Sequence, residues 1–310
     1  MHLMIYLTFD CEDFINLRSM FTLRRILELL QIYDIKGLFF ITGHMAEKIR
    51  NFPKIFDMLK NHEIGYHSSA HSVRPIIVEY TDVKDYSLAR QISLKRETSH
   101  INPLTGKCEG KGGIVLLKAL FPNKNVNSFR APGFCWSPPH LDALKELGIQ
   151  FDFSTNLSPT SISYRGLTFY PFANLVNIID ILNSIKVLKA LIRSNTAVLL
   201  FHPNHFVNAE CWDTPYFSGN PKRLCHVTPR NCKDTKDILQ KFELLLKHFS
   251  SLQKIGMLEI TPSLEKSRNE LAFTKESVIK AYQISISWAK NSFGYNPKFI
   301  RKHFEKFFGV

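Results

Sequence analysis

Short apolar runs alternate along the chain with longer stretches in which apolar residues recur at helical spacing. The short runs are rich in β-branched and aromatic residues, a pattern typical of parallel strands joined by helices. The predicted strands cover residues 5–9, 37–41, 63–66, 126–129, 150–153, 197–201 and 256–260. The predicted helices cover residues 17–33, 45–60, 82–100, 139–147, 175–193 and 234–252. Seven strands are enough for a barrel or for an open doubly wound sheet, and periodicity does not separate the two.

Two regions depart from this alternation. Residues 203–233 follow a strand, are polar and rich in Pro, Gly, Asn and Cys, and show no period, so we expect a long loop there. Loops after strands carry the active sites of barrel folds. From Lys266 onwards, nine Lys and Arg face three Glu, with Phe residues interleaved. We therefore expect a barrel over residues 1–264 and a basic, Phe-rich helical extension over residues 265–310.

The composition is that of a globular protein, since 45% of the 310 residues are apolar and 22% are charged. It excludes a disordered or fibrous chain. The net charge of +13 indicates an anionic partner, such as a nucleic acid, a phosphate-bearing metabolite or an acidic membrane surface. We predict no nucleic-acid partner, because the sequence has no zinc-finger spacing, RNP-like motif or helix-turn-helix signal.

The location that the sequence indicates is the cytoplasm. The first ten residues contain no basic lead and no cleavage site. The most apolar region, residues 172–192, is interrupted by Asn, Asp and Lys, which argues against a transmembrane helix. Six cysteines without a CxxC pair are typical of reduced thiols. A second zinc site from Cys211, Cys225, Cys232 and His226 is conceivable, but their spacing matches no standard pattern and we expect free thiols.

Polar clusters lie at or just beyond the carboxyl ends of five predicted strands. They contain the residues Asp10, Glu12, Asp13, His67, His71, Arg130, Gly133, Asp152 and His202. Taken singly, each cluster has a structural alternative, such as a solvated turn for the acids or a surface salt bridge for the arginine. In a parallel barrel, however, the carboxyl ends of the strands converge on one face. Their common position therefore indicates a site.

The spacing of the histidines and acids suits metal chemistry. His67 and His71 are four residues apart, which on one turn of helix puts both imidazoles on the same face, where a divalent metal can bridge them. Asp10, Glu12 and Asp13 are three carboxylates within four residues. Such acids raise one another's pKa, so unless they are solvated they usually serve a cation or a proton transfer.

In this order, the clusters resemble the motifs of the polysaccharide deacetylases, the NodB-homology group also called carbohydrate esterase family 4. The matching segments are residues 7–13, 65–71, 130–133, 151–154 and 199–203, and residues 257–262 are similar to the closing strand. The resemblance implies a distorted (β/α) barrel of about seven parallel strands. It also implies one divalent metal, zinc or else cobalt, nickel or manganese, and a hydrolase that removes an N-acetyl group from an amino sugar.

The resemblance implies that His67 and His71 are metal ligands. The common first motif of the family, Asp-Asp-Gly, places the third ligand directly after the base, where this chain has Cys11. We expect Asp13 as the third ligand, because Asp-x-Glu-Asp forms occur in the family. Glu12 is a close rival whose longer side chain could also reach the metal, and Cys11 ranks third.

The resemblance also assigns the proton transfers. Asp10 would be the general base, Arg130 would hold it, and the Gly133 N–H would face the oxyanion. His202 would be the general acid. Asp152 is similar to the acid that tunes this histidine, although its strand departs from the commoner form, which ends in Asp-Trp.

Two alternative functions stay open at this point. One is a metal-dependent amidohydrolase on a non-sugar C–N bond, because a fold does not settle a substrate. The other is a non-catalytic carbohydrate-binding barrel. A cytoplasmic deacetylase would act on an N-acetylated saccharide or on a lipid-linked or nucleotide-linked glycan precursor, and the positive charge suits a phosphate.

The tail has two interpretations. Residues 299–308 place Phe and basic residues at roughly helical spacing, so the tail could contact the inner face of an anionic membrane as a peripheral anchor. The alternative is a helix that packs its Phe face on the barrel.

Overall fold

Ten of the described strands form one curled sheet in which nearly all neighbours are parallel. The structure, a computed structural model, describes residues 3–73, 83, 85–155, 160–171, 175–177, 195–213, 226–268, 274–277, 279–280 and 283. The strands are β1 (Leu3–Cys11), β2 (Leu38–Ile41), β3 (Glu63–Tyr66), β4 (His100–Ile101), β5 (Cys108–Glu109), β6 (Ser128–Phe129), β7 (Phe151–Thr155), β8 (Ile162–Tyr164), β9 (Leu167–Pro171), β10 (Leu175–Asn177), β11 (Thr196–Phe201) and β12 (Leu258–Ile260). The helices are α1 (Leu17–Ile32), α2 (Gly43–Ile49), α3 (Pro53–Leu59), α4 (Tyr86–Glu97), α5 (Gly113–Leu120), α6 (Pro138–Glu146) and α7 (Cys232–Lys254).

The order of the strands defines the class of fold. In the main sheet the order is β10-β11-β1-β2-β3-β6-β7-β9-β8, and β12 also pairs with β1. The pairing of β8 with β9 is antiparallel, whereas the other pairings in this sheet are parallel. Strands β4 and β5 form a separate antiparallel pair. This curled parallel sheet, with helices between its strands, confirms the predicted distorted (β/α) barrel.

Strand β1 pairs with three strands of the main sheet. It pairs with β11 over residues 4–9, with β2 over residues 8–11 and with β12 over residues 3–5. Residues 5–11 are all buried, as expected for a parallel strand that is covered on both faces. Phe9 stacks on Phe39 of β2 and Phe201 of β11, with ring centroids 4.6 and 5.3 Å apart. These aromatic contacts fix the end of β1 against its neighbours.

Several predicted elements differ from the observed ones. The helix predicted at residues 45–60 is two helices, because Pro53 has no N–H to continue α2 and instead begins α3. Helix α5 and the hairpin of β8 and β9 were not predicted. Residues 175–177 form β10 rather than the start of a helix, and residues 178–193 lie outside the described part of the chain.

The predicted loop and extension are only partly described. Within residues 203–233, Pro203–Phe206 is a 3₁₀ turn and α7 begins at Cys232, while residues 214–225 are not described. After the predicted domain boundary, the Ser267 amide donates to Thr168 Oγ1 of β9 across 3.0 Å. Most of residues 265–310 lies outside the described ranges, so the extension stays a prediction. Among the described helices, none has both the length and the apolarity needed to cross a membrane.

Candidate active site

The polar clusters predicted from the sequence meet at the carboxyl ends of parallel strands. Asp10 lies near the end of β1, and Glu12 and Asp13 follow it. His67 directly follows β3, and Arg130 directly follows β6. Asp152 lies in β7 and His202 follows β11. Since β1 has β11 and β2 as neighbours and β2 leads to β3, β6 and β7, these ends share one face of the barrel.

Glu12 and the two histidines form a compact group of potential metal ligands. Their ligand atoms all lie within 4.8 Å of one another, and the three residues are buried. Glu12 Oε2 lies 3.2 Å from His67 Nε2 and 2.9 Å from His71 Nε2. Burial alone would raise the pKa of Glu12, but the charges on His71 and His202 lower this pKa well below its usual range. A carboxylate kept ionised between two imidazoles is a donor set that suits a divalent metal.

The orientation of His67 also fits a metal ligand. Its Nδ1 lies 2.7 Å from the backbone carbonyl oxygen of Arg130. Because a carbonyl only accepts, Nδ1 donates its hydrogen to Arg130, and in the neutral ring this places the lone pair on Nε2, the nitrogen that faces Glu12. Metal-binding histidines commonly donate their other ring N–H to a carbonyl or carboxylate in this way.

The geometry reverses our order of preference between Asp13 and Glu12. The Oδ1 atom of Asp13 accepts hydrogen bonds from the amides of Ile15 and Asn16, both at 3.1 Å. Its Oδ2 accepts from Ser19 Oγ at 2.5 Å. The Asp13 carboxylate therefore closes an Asx-type turn that leads into α1 and is occupied there, whereas Glu12 lies against the histidines.

Cys11, our third choice of ligand, faces the other side of the strand. It packs in the hydrophobic core with Leu7 and Phe9, because alternate residues of a strand share a face. Burial, together with the charges of Asp10 and Glu12, raises the pKa of its thiol well above the usual range. The thiolate that a metal requires is thus disfavoured.

Asp10 lies between the arginine and two histidines. Arg130 Nη1 donates to Asp10 Oδ1 at 2.7 Å, and Arg130 Nη2 donates to Thr8 Oγ1 at 3.0 Å. The other oxygen, Oδ2, lies 3.7 Å from both His67 Nε2 and His202 Nε2. The ion pair is buried, since Arg130 is 0% exposed. The guanidinium thus fixes one carboxylate oxygen and leaves the other directed at the histidines.

His202 is the histidine of the site that meets solvent. Its side chain is 18% exposed, compared with 2% for His67. The ring of His205 lies 4.6 Å from that of His202, and its Nε2 lies 3.5 Å from Cys211 Sγ. Burial and the neighbouring His202 lower the pKa of His205 to about 4. We did not predict His205, although its place three residues after His202 in the strand-end loop was a usable signal.

Gly133 and Asp152 lie close to Arg130 in the fold. Gly133 has a left-handed φ of 59° in the turn Pro132–Phe134, a conformation that glycine adopts without strain. Asp152 is fully buried, and its Oδ1 accepts the Ser154 amide at 2.7 Å. Burial raises the pKa of Asp152 to about 7. Within the described part of the chain its hydrogen bond is to Ser154 rather than to His202, so the tuning role stays a prediction.

Trp212 lines one side of the site and was not predicted from the sequence. It is fully buried, and its ring lies 5.6 Å from the ring of His71 and 5.6 Å from that of Phe14. It lies in the loop after β11, where nothing in the pattern of apolar residues marks it. It shields one side of His71 from solvent.

The described residues do not bring the cysteines together with His226 as a second metal site. His226 Nδ1 lies 2.7 Å from Asn16 Oδ1, and Cys232 begins α7 as an exposed thiol. Cys225 lies outside the described ranges. Of the residues that the structure describes, Glu12, His67 and His71 are the group with the geometry of a metal site.

Comparison with known protein families gives one match, in the first part of the chain. Residues 2–151, slightly less than half of the chain, match the family model of the polysaccharide deacetylases. The match confirms the resemblance drawn from the motifs and includes the segments of Asp10, His67 and Arg130. It ends just before Asp152. No curated protein matches the chain significantly.

Solved structures resemble the chain at low identity. A 4-alpha-glucanotransferase from Thermococcus litoralis has 11% identity and a TM-score of 0.51, over 97% of this chain and 49% of its own. The catalytic domain of a peptidoglycan N-acetylglucosamine deacetylase from Eubacterium rectale has 15% identity and a TM-score of 0.41, over 86% and 91% of the two chains. A mutant of a CE4 family pseudoenzyme from Bacillus anthracis, with restored activity, has 16% identity and a TM-score of 0.42. This chain covers 65% of that protein, and 84% of this chain is matched. At these identities the glucanotransferase comparison supports the fold alone.

Proposed function

We propose that the protein is a metal-dependent deacetylase that hydrolyses the N-acetyl group of an amino sugar. The observation that carries the proposal is the arrangement of Glu12, His67 and His71 beside the Asp10–Arg130 ion pair. The match of residues 2–151 to the polysaccharide deacetylase family model supports the reaction class. The phosphate-linked substrate is supported by the net charge of +13, and the cytoplasmic location and membrane contact rest on the sequence analysis.

Glu12, His67 and His71 would hold the divalent metal. When bound, the metal supplies a Lewis acid that polarises the carbonyl of the substrate amide. The donor set of two imidazoles and one carboxylate is typical of catalytic zinc sites, which keep a position open for water or substrate. Trp212 and Phe14 limit access of water from one side of His71.

Asp10 would act as the general base. Arg130 holds Oδ1 at 2.7 Å, so that the free Oδ2 can take a proton from the attacking water. The oxyanion that develops on the amide carbonyl would accept the N–H of Gly133, whose left-handed turn directly follows Arg130.

His202 would act as the general acid. It lies on the side of Asp10 that is open to solvent, where a saccharide can enter. A proton delivered to the amide nitrogen allows the C–N bond to break, so that the products are acetate and the free amino sugar. The proton that Asp10 accepts returns to solvent or to His202, whose Nε2 lies 3.7 Å from Asp10 Oδ2.

Acetate release tests the proposed function. The zinc-loaded protein is incubated with N-acetylglucosamine oligosaccharides and with lipid-linked and nucleotide-linked N-acetylated sugars, and acetate is measured. We expect release from at least one substrate, and a rate about 10²–10⁴-fold lower for Asp10→Asn, which keeps the shape of the base. No acetate from any sugar by the zinc-loaded wild type, or an unchanged rate in the variant, would overturn the proposal.

A further inference from the structure

The loop between the two histidine ligands is held in an unusual backbone conformation. Ser68 and His71 have left-handed φ values of 64° and 43°, although neither is glycine. Such conformations cost free energy, and they persist when the surrounding contacts determine the backbone. The geometry of both imidazoles depends on this loop. The contacts that hold Ser68 and Ser69 are therefore the ones that place the ligands.

The loop carbonyls are held from one side by the start of α2. The Gly43 amide donates to Ser68 O at 3.0 Å, and the His44 amide donates to Ser69 O at 3.2 Å. Gly43 lies so close that an added Cβ would be 2.7 Å from Ser69 O. These contacts are made by backbone amides, and their side-chain requirement is that position 43 carries no Cβ.

The carboxylate of Glu97 holds the loop from the other side. Its Oε2 accepts the amide of Ser69 at 3.1 Å and the hydroxyl of Tyr66 at 2.7 Å. Ser68 Oγ donates to both carboxylate oxygens, at 3.0 and 3.1 Å. One side chain thus binds the residue before His67 and the two residues after it.

The position of Glu97 is costly by itself. It is fully buried, and it is the last residue of α4, where the helix dipole disfavours a negative charge. Arg96 Nε at 3.2 Å and His140 Nε2 at 3.1 Å from Oε1 compensate the charge. Burial opposes ionisation, but hydrogen bonding from His140 and the charge of Arg96 outweigh it and lower the pKa of Glu97 to about 2.

We propose that Glu97 is a positioning residue for the metal site, which fixes the His67–His71 loop through Ser68 and Ser69 so that both imidazoles meet Glu12. The inference rests on the proposed function, since it concerns the same metal site. Glu97 itself belongs to none of the motifs of the sequence and lies 26 residues after His71.

The variant Glu97→Gln tests this directly. Oε1 faces Arg96 Nε and Oε2 faces the Ser69 amide, and both of these partners can only donate. In either orientation of the glutamine amide, its NH₂ group therefore faces one of these two donors and cannot accept a hydrogen bond from it. The matched control is Leu30→Ala, which removes a fully buried side chain of α1 and has no part in the loop.

Two measurements separate the proposal from the proposed function. In the metal-free protein, we expect the Ser69 amide of Glu97→Gln to exchange its hydrogen about tenfold faster than in the wild type, beyond any change in the amides of β1. Zinc affinity, from chelator competition, should fall about 10–100-fold. In Leu30→Ala, Ser69 should change no more than β1, and zinc affinity should stay at the wild-type value.

A Glu97→Gln protein that matches Leu30→Ala in both measurements would overturn the positioning role. If the wild type binds no zinc, the proposed function fails, while Ser69 exchange still decides whether Glu97 holds the loop. If Glu97→Gln does not fold, Ser68→Ala removes one donor to the same carboxylate and should shift both measurements in the same direction. Unchanged exchange and zinc affinity in Ser68→Ala would then overturn the proposal.

Discussion

The ring of His67 donates its Nδ1–H to the backbone carbonyl of Arg130 across 2.7 Å. The same arginine holds Asp10 with its side chain. A proposed metal ligand and the proposed base are therefore fixed by two groups of one residue. A change of the Arg130 side chain should consequently disturb the base while the backbone contact to His67 remains.

The substitution Arg130→Met should strongly destabilise the fold and abolish acetate release. The variant leaves the Asp10 carboxylate buried without its charged partner, which costs about 3–5 kcal/mol of unfolding free energy. The double variant Asp10→Asn/Arg130→Met removes both charges and should recover much of that stability without recovering activity. Urea unfolding and acetate release measure the two effects.

Arg165→Met is the matched control for the buried pair. Arg165 Nη2 lies 2.6 Å from Asp142 Oδ2, but the two side chains are 34% and 25% exposed. The loss of such a pair near the surface should cost about 1 kcal/mol or less. An equal loss of unfolding free energy in Arg130→Met and Arg165→Met would contradict the larger contribution to stability that we assign to the Asp10–Arg130 pair.

Asp152 should make the protein less stable as the pH rises. Burial raises its pKa to about 7 in the folded state, so the unfolded state binds fewer protons between about pH 4 and 7. Stability from this group is thus present at low pH and is lost as the pH rises through 7. As the pH rises from 4.5 to 7.5, the unfolding free energy of Asp152→Asn should increase by on the order of 2–4 kcal/mol relative to that of the wild type. A wild-type-to-variant difference that does not change with pH in urea unfolding would refute this assignment.

His44 and His62 should cause a loss of stability in mild acid. Burial lowers the pKa of each to about 4, so they are neutral in the folded state. The unfolded state binds more protons between pH 6.5 and 4, which means that stability present above pH 6.5 is lost as the pH falls. When the pH is lowered from 7 to 5, each histidine should reduce the unfolding free energy by on the order of 1–2 kcal/mol.

His62→Gln tests this loss with little change of structure. The side-chain oxygen of the glutamine can accept a hydrogen bond from the Gly37 amide, as His62 Nδ1 does at 3.3 Å. The pH dependence of unfolding should become shallower in this variant. The exposed His248 gives the control, since His248→Gln should leave the pH dependence unchanged. The prediction fails if the two variants behave alike.

The sequence could predict the strands around the site because buried parallel strands are nearly continuous apolar runs. It could not predict helix α5, because every residue of Gly113–Leu120 except Lys118 is apolar, so polar residues do not mark an exposed face. Strands β8 and β9 are short, and their turn at Arg165 and Gly166 needs left-handed φ values that composition does not reveal.

The choice between Glu12 and Asp13 could not be made from the sequence either. It depends on where the backbone turns after β1 and on whether another group occupies one of the carboxylates. Asp13 is engaged by Asn16 and Ser19 at the start of α1, a contact that no metal-site motif indicates. Glu97 was hidden for a similar reason, because its partners are distant in the sequence and come together only in the fold.

Zinc binding by the wild type, Glu12→Gln and Asp13→Asn tests the assignment of the metal ligands most directly. The wild type should bind about one zinc per chain, and Glu12→Gln should bind it about 100-fold more weakly. Asp13→Asn should keep wild-type zinc affinity while it loses about 1–2 kcal/mol of unfolding free energy, because it weakens the turn into α1. Metal bound at Glu12, His67 and His71 predicts that pattern, whereas a wild type without zinc, or zinc affinity lost in Asp13→Asn and kept in Glu12→Gln, would contradict it.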